Sequence, residues 1–345
     1  MADRDASPEA LAAEDHRPGA RWWTGLLETI LDNPAVFMAG ILLTMWLVLS
    51  RLSPYFFTLD NLLEITVQAA VIALLAVGQT FVILSAGIDL SVGAVLAASS
   101  VAATLVMDQG YGLFAGIAAG LLCGATFGAA NGICVGKLGI PPFIATLGMM
   151  GIARGFALII SGGIPLLIIS GGIPLFNLAP GFEVLGQGRL AGVVPVPTLT
   201  TLGLYALGYL ILSRTRLGRY TYSIGSNLQA TLFSGVNVSR YLILIYTVSG
   251  LTAAVAGLTE ASRIGSGQPA GGVGYELDSI AAVVIGGTSL FGGEGNLFAS
   301  LVGALIIATL RNGLNVYAFW QQVAIGAILI GAVYLDRWRR RRRGE

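Results

Sequence analysis

The sequence predicts an all-α polytopic membrane protein of about ten transmembrane helices, with the N- and C-termini in the cytoplasm. Three observations carry that expectation. Hydrophobic residues make up 55% of the 345-residue chain and charged residues only 11%, against about 25% charged in soluble domains. Most of the chain therefore meets no water on any face. The apolar residues gather into stretches of roughly 20, the length that crosses a hydrocarbon core. Arginine and lysine are shared unevenly among the connections, which sets orientation.

Residues 1–33 are polar, mixed in charge and rich in Ala, Pro and Glu. They read as a disordered cytoplasmic N-terminal tail. Their length and acidity do not fit a cleavable signal peptide. The transmembrane domain is expected over 34–337. Its spans fall near 35–52, 62–86, 90–107, 112–136, 142–161, 197–213, 240–261, 277–291, 297–316 and 321–336. With a cytoplasmic N-terminus, ten crossings return the C-terminus to the cytoplasm. The loops then inside hold Lys137, Arg214, Arg216, Arg219 and Arg240, and those outside hold Arg51, Arg189 and Arg263. Residues 338–345 form a basic cytoplasmic tail. Together with Arg337 it carries six arginines, an orientation signal beside an anionic leaflet. No aromatic or fold context ties them to nucleic acid.

The stretch "GQTFVILSAGIDLSVGAVLAA" (Gly78–Ala98) is apolar with an aspartate in its middle. Gly87 suits a left-handed helix end, and Asp89 suits the N-cap of the next helix. Gly87 and Asp89 are thus expected to cap a tight reversal at the cytoplasmic face. That would spare Asp89 the roughly 2.5–3.5 kcal/mol of a charge at the bilayer centre. A direct role for Asp89 in transport is the other reading. Further along, Gly116, Gly120, Gly124, Gly128 and Gly132 recur every four residues. They form a stripe that lets neighbouring backbones approach closely. "IISGGIPLL" (Ile159–Leu167) is followed at once by "IISGGIPLF" (Ile168–Phe176). This duplication falls in an expected outer loop, where insertions cost little.

Several chemistries are excluded. Cys123 and Cys134 lie in apolar sequence at a spacing that matches no metal or redox motif, and His16, the single histidine, is in the N-terminal tail. No metal site or histidine-based catalytic cluster follows. "GICVGKLG" (Gly132–Gly139) is one residue short of a phosphate loop and has Leu138 where a hydroxyl must hold magnesium. "GGTSLFGGEGN" (Gly286–Asn296) has neither the spacing nor the context of a dinucleotide turn.

The longest polar connection is "RTRLGRYTYSIGSNLQATLFSGVNVSRY" (Arg214–Tyr241). A short helix from about Asn227 to Gly235 is expected within it. It reads either as an interfacial helix or as one that fits a groove on a cytosolic protein. Inside the spans, Gln79, Asn131, Thr146, Arg154 and Arg311 are the polar candidates for a translocation path. Pairing near the outer face is the competing reading for the two arginines, with Glu64, Glu260 and Arg263 at similar depth. Gln79 and Asn131 could equally bond between helices.

Five motifs in order make the chain resemble the inner-membrane permease subunits of bacterial monosaccharide ABC importers of the ribose, xylose and arabinose type. They are "GQTFVILSAGIDLSVG", "NGICVGKLGIPPFIATLGMMGIARG", "GRYTYSIGSNLQATLFSGVNV", "GYELDSIAAVVIGGTSLFGGEG" and "NGLNVYAFWQ", and the resemblance around them covers about residues 60–337. The resemblance implies a pair of permease copies, homo- or heterodimeric. It also implies a cytosolic ABC ATPase with tandem nucleotide-binding domains and a periplasmic sugar-binding protein. The chain itself would be no enzyme and hold no cofactor; ATP and magnesium would sit in the ATPase. The 214–241 loop would be the coupling segment, with Gly225, Asn227, Ala230, Ser234, Gly235 and Asn237 matching the family pattern. Thr231 departs from it, standing where a second alanine is more usual, and Ala299 stands where a glycine often follows "GGEG".

Other small polar solutes remain open: an autoinducer, inositol, a nucleoside or a branched-chain amino acid. The rival from another class is an ion-coupled secondary transporter, which would place carboxylates near the midplane. Here Glu64, Asp89, Glu260, Asp278 and Asp336 are expected at span ends.

Overall fold

The structure is a computed structural model, and it describes residues 34–162, 178–313 and scattered positions from 321 to 334. The two terminal tails and most of the tandem duplication lie outside the described residues.

The described chain is helical apart from one two-stranded ribbon. In order the elements are α1 (Pro34–Leu52), α2 (Leu59–Leu84), α3 (Val92–Asp108), α4 (Leu113–Gly136), α5 (Pro142–Ile160), α6 (Val184–Gln187), β1 (Arg189–Leu190), β2 (Val194–Pro195), α7 (Val196–Arg214), α8 (Arg216–Ser226), α9 (Leu228–Phe233), α10 (Val238–Ile264), α11 (Tyr275–Ile285) and α12 (Leu297–Gly313). Among the described residues, α2, α4, α5, α7 and α10 are long and apolar enough to cross a membrane, and α1, α3 and α12 are shorter apolar helices. The chain is therefore a polytopic helical membrane protein. The expected span at 277–291 stops at Ile285, where Gly286 and Gly287 end the helix and Gly287 turns left-handed at φ 91°.

α10 is the axis of the bundle, packed along α4, α2 and α3. Its 27 residues make a rod of about 40 Å. The predicted glycine stripe explains the closeness of α4 to its neighbours. A side chain on Gly116 or Gly120 would strike α3, and one on Gly124, Gly128 or Gly132 would strike the α10 backbone. Gly250 answers from α10: its added Cβ would stand 2.1 Å from the Gly124 carbonyl. Glycine on both faces lets backbone meet backbone, and van der Waals contact replaces the hydrophobic drive that lipid cannot supply.

Two segments interrupt the helical layout. Residues 85–91 separate α2 from α3, and residues 265–274 separate α10 from α11. They enter from opposite ends of the bundle, and the second meets the first turn of α3, with the Gly272 carbonyl where a Gly93 side chain would be. Non-helical backbone at membrane depth is tolerated when it is covered by protein, and Ser85, Gly87, Asp89, Ser266, Gly267 and Pro269 are all buried.

Candidate functional site

The aspartate in the apolar run is not turned out to water. Asp89 is 1% exposed. One carboxylate oxygen accepts from the Ser91 amide and hydroxyl at 2.9 and 2.6 Å, and the other accepts from the Ser249 hydroxyl at 2.8 Å. Ser249 lies eleven residues into α10, roughly 17 Å from its α9 end. The expectation of a cap at the face of the bundle is therefore corrected. Ser91, not Asp89, occupies the N-cap position of α3, and Asp89 bonds back to it from two residues earlier. The left-handed residue is Ala86, at φ 60°, rather than Gly87. Gly87 is needed for space instead: a Cβ there would stand 2.7 Å from the Tyr246 hydroxyl. Three hydrogen bonds on a buried carboxylate offset the desolvation that would otherwise expel it.

Of the five intramembrane candidates, the structure brings two to this cluster. Asn131 is fully buried and donates from Nδ2 to Ser91 Oγ at 2.8 Å. Thr146 donates to the Ile88 carbonyl at 3.2 Å and to that of Pro142 at 2.9 Å. Gln79 is also fully buried, with neither amide atom hydrogen-bonded. Arg154 serves the other interruption, and Arg311 the first turn of α11 that follows it. Arg154 donates to the carbonyls of Pro269 and Gly271 at 2.8 and 2.6 Å, holding the 265–274 segment to α5. Arg311 of α12 pairs with the buried Asp278 of α11 and lies 5.8 Å over the Tyr275 ring. Tyr275 in turn donates to Glu260 at 3.1 Å. The acidic partner of Arg311 is thus Asp278, whose buried carboxylate, like that of Glu260, lies inside the bundle.

The polar connection folds as two helices. The expected short helix is α9, capped by Asn227, whose Oδ1 accepts from the Ala230 amide at 2.9 Å. It ends at Gly235, left-handed at φ 76° with open space around its α-carbon. Asn237 caps α10 through the Arg240 amide, and the Ser234 hydroxyl bonds the Ala230 carbonyl. Thr231 has a local reason: its buried hydroxyl donates to the carbonyls of Ser223 and Asn227, tying α9 to α8. α9 presents Leu228, Leu232 and Phe233 outward, Phe233 at 88% exposure.

α8 was not foreseen as a helix, and it links this segment to the interior. A Cβ on Gly225 would stand 1.9 Å from the Leu84 carbonyl oxygen and 2.5 Å from the Gly293 amide. Those two groups bond each other at 2.9 Å, and Tyr222 donates to the Gly295 carbonyl at 3.1 Å. Burial pushes the Tyr222 phenol above its ordinary value, so the group stays a neutral donor at physiological pH. α8 therefore rests on two turns, the start of 85–91 and the 286–296 loop.

Comparison with known proteins supplies the context for this arrangement. The family model described as "Branched-chain amino acid transport system / permease component" matches residues 61–333. The chain belongs to this permease family. The ribose import permease protein RbsC of Escherichia coli strain K12 is 42% identical over 298 residues, 86% of this chain and 91% of that protein. The RbsC of Bacillus subtilis is 42% identical over 294 residues, 84% of this chain and 89% of the relative. The D-allose transport system permease protein AlsC of Escherichia coli K12 is 39% identical over 298 residues, 84% and 87% of the two chains. No solved structure matches.

Proposed function

We propose that the chain is the membrane-spanning subunit of an ATP-driven importer that carries a monosaccharide inward across a bacterial inner membrane. The observation that carries this reading is the match, over more than four-fifths of the chain, to permeases named for ribose and allose import. On this reading ten helices cross the bilayer and both termini are cytoplasmic. Two permease copies face each other. A cytosolic ATPase with tandem nucleotide-binding domains supplies ATP and magnesium, and a periplasmic binding protein delivers the sugar.

The 214–241 connection is then where the ATPase pulls. The apolar side chains that α9 presents outward support a docking role, since Leu228, Leu232 and above all Phe233 are exposed among the described residues. Because Gly225 has no side chain, α8 sits directly on the end of α2, where loop 85–91 starts, and on the closing turn of loop 286–296. A displacement of α9 passes through α8 to both, and so to the cluster around Asp89. ATP and the loaded binding protein each shift the bundle only by favouring one of its states.

The test is reconstitution of the permease with its ATPase and binding protein in proteoliposomes. ATP-dependent accumulation of a monosaccharide supports the reading. Uptake driven by an ion gradient without partners contradicts it.

A further inference from the structure

Two adjoining cavities open at the end of the bundle opposite α8 and α9. One, of about 400 Å³, is lined by Glu64, Val67, the Gly186–Arg189 turn and Arg263. The other, of about 290 Å³, is lined by Glu64, Gln68, Arg263, Tyr275, Arg311 and Gln321. Glu64 and Arg263 line both and stand at the junction. The second cavity reaches Ile72, eight residues and roughly 12 Å along α2 from Glu64.

We propose that this second cavity is a site for an uncharged polyhydroxylated solute during its passage, with Glu64, Gln68 and Arg263 as its hydrogen-bonding wall. The proposal rests on the reading of the chain as a sugar-importing permease and names where that sugar is held. A sugar hydroxyl both donates and accepts, and the wall offers both kinds of partner. Glu64 accepts, Arg263 donates, and the Gln68 amide does either. Gln68 already donates to Glu64 at 3.3 Å, a long bond that a solute hydroxyl can replace with a shorter one. The wall carries both signs: Glu64 faces Arg263 across it, and the Arg311 charge is already paired with Asp278 behind it.

The inner side of the cavity is held rigid. Arg311 is fixed by Asp278 and by the Tyr275 ring, and Tyr275 by Glu260. A floor whose own partners are in place loses little entropy when a ligand arrives, leaving only Glu64, Gln68 and Arg263 to be ordered. At about 290 Å³ the cavity stands at the lower limit of ligand sites, which start at about 300 Å³, a size for a small solute.

Gln68→Ala and Glu64→Gln test the proposal in proteoliposomes holding permease, ATPase and binding protein, with D-ribose as the probe and leucine for comparison. Loss of a hydrogen bond to a charged group costs about 1.5–3 kcal/mol and of a neutral one about 0.5–1.5 kcal/mol, so ribose uptake per folded permease is expected to fall by about tenfold or more in Glu64→Gln and by about threefold or more in Gln68→Ala. As a second measurement, Gln68→Cys is placed in a chain carrying Cys123→Ala and Cys134→Ala. D-ribose at millimolar concentration is expected to slow its labelling by a membrane-impermeant maleimide. Unchanged ribose uptake in both variants, or labelling that ribose does not slow, overturns the site alone. Uptake of leucine but not ribose by the unmodified protein overturns the sugar reading and the site with it.

Discussion

The contact between α8 and the interior gives the sharpest mutational test. In Gly225→Ala the new methyl would lie 1.9 Å from the Leu84 carbonyl oxygen and 2.5 Å from the Gly293 amide. Close carbon–oxygen contacts stop near 3.3 Å, so α8 must retreat by roughly 1.4 Å. Both obstacles are backbone atoms in hydrogen-bonded turns, and neither yields as a flexible side chain would. Retreat stretches the Tyr222–Gly295 bond from 3.1 Å to well beyond hydrogen-bonding range, losing about 0.5–1.5 kcal/mol. Overpacking adds about 1–3 kcal/mol. The glycine stripe between α4 and α10 lies elsewhere, so the bundle is expected to stay folded while its grip on α8 loosens. The assay is monosaccharide uptake per ATP hydrolysed in proteoliposomes, expected to fall by about fivefold or more for a defect of this size. Gly203→Ala is the control, because nothing lies within 4 Å of its added Cβ. Full coupling in Gly225→Ala, or an equal loss in Gly203→Ala, refutes the transmission route through α8.

Other substitutions probe the interior. Gly250→Val places a branched side chain against the Gly124 carbonyl and the Gly128 backbone; detergent-solubilised protein is expected to lose thermal stability by about 3 kcal/mol, read as a lower Tm. Arg311→Met strands the buried Asp278, the more costly change, while Asp278→Ala strands Arg311, which is a third exposed and partly screened; the double change, read by yield of monodisperse protein, is expected to recover more folded material than Arg311→Met alone. Arg154→Gln removes the charged donor to the Pro269 and Gly271 carbonyls, so hydrogen exchange over 265–274 is expected to quicken, with partial protection retained in Arg154→Lys, whose ammonium reaches fewer acceptors.

The membrane class was plain in the sequence because hydrocarbon demands unbroken apolar runs, and such runs survive in a single chain without comparison. The same holds for the glycine stripe, whose period of four can mean little but close helix packing. Asn227, Gly235 and Asn237 were readable as helix punctuation because caps act over two or three residues. The environment of Asp89 was not legible. Its partner Ser249 is 160 positions away and carries no local mark, so the sequence suggested a turn to water where the structure has a buried, satisfied carboxylate. The pairing of Arg311 with Asp278 was hidden for the same reason. The expected span at 277–291 takes in Leu290 and Phe291, but the paired glycines and the Thr288–Ser289 turn after Ile285 stop α11 first. Ser91 was within reach, since an aspartate two residues before a serine is a familiar local turn.

Sidedness of α9 is the most direct measurement of all. Phe233→Cys, in a chain carrying Cys123→Ala and Cys134→Ala, places one thiol at the most exposed large apolar position of that helix. An impermeant maleimide is expected to label it only in inside-out vesicles or permeabilised cells, with the assembled ATPase shielding it. Labelling from the periplasmic side of intact cells would put the helix out of reach of any cytosolic motor, contradicting the proposed drive.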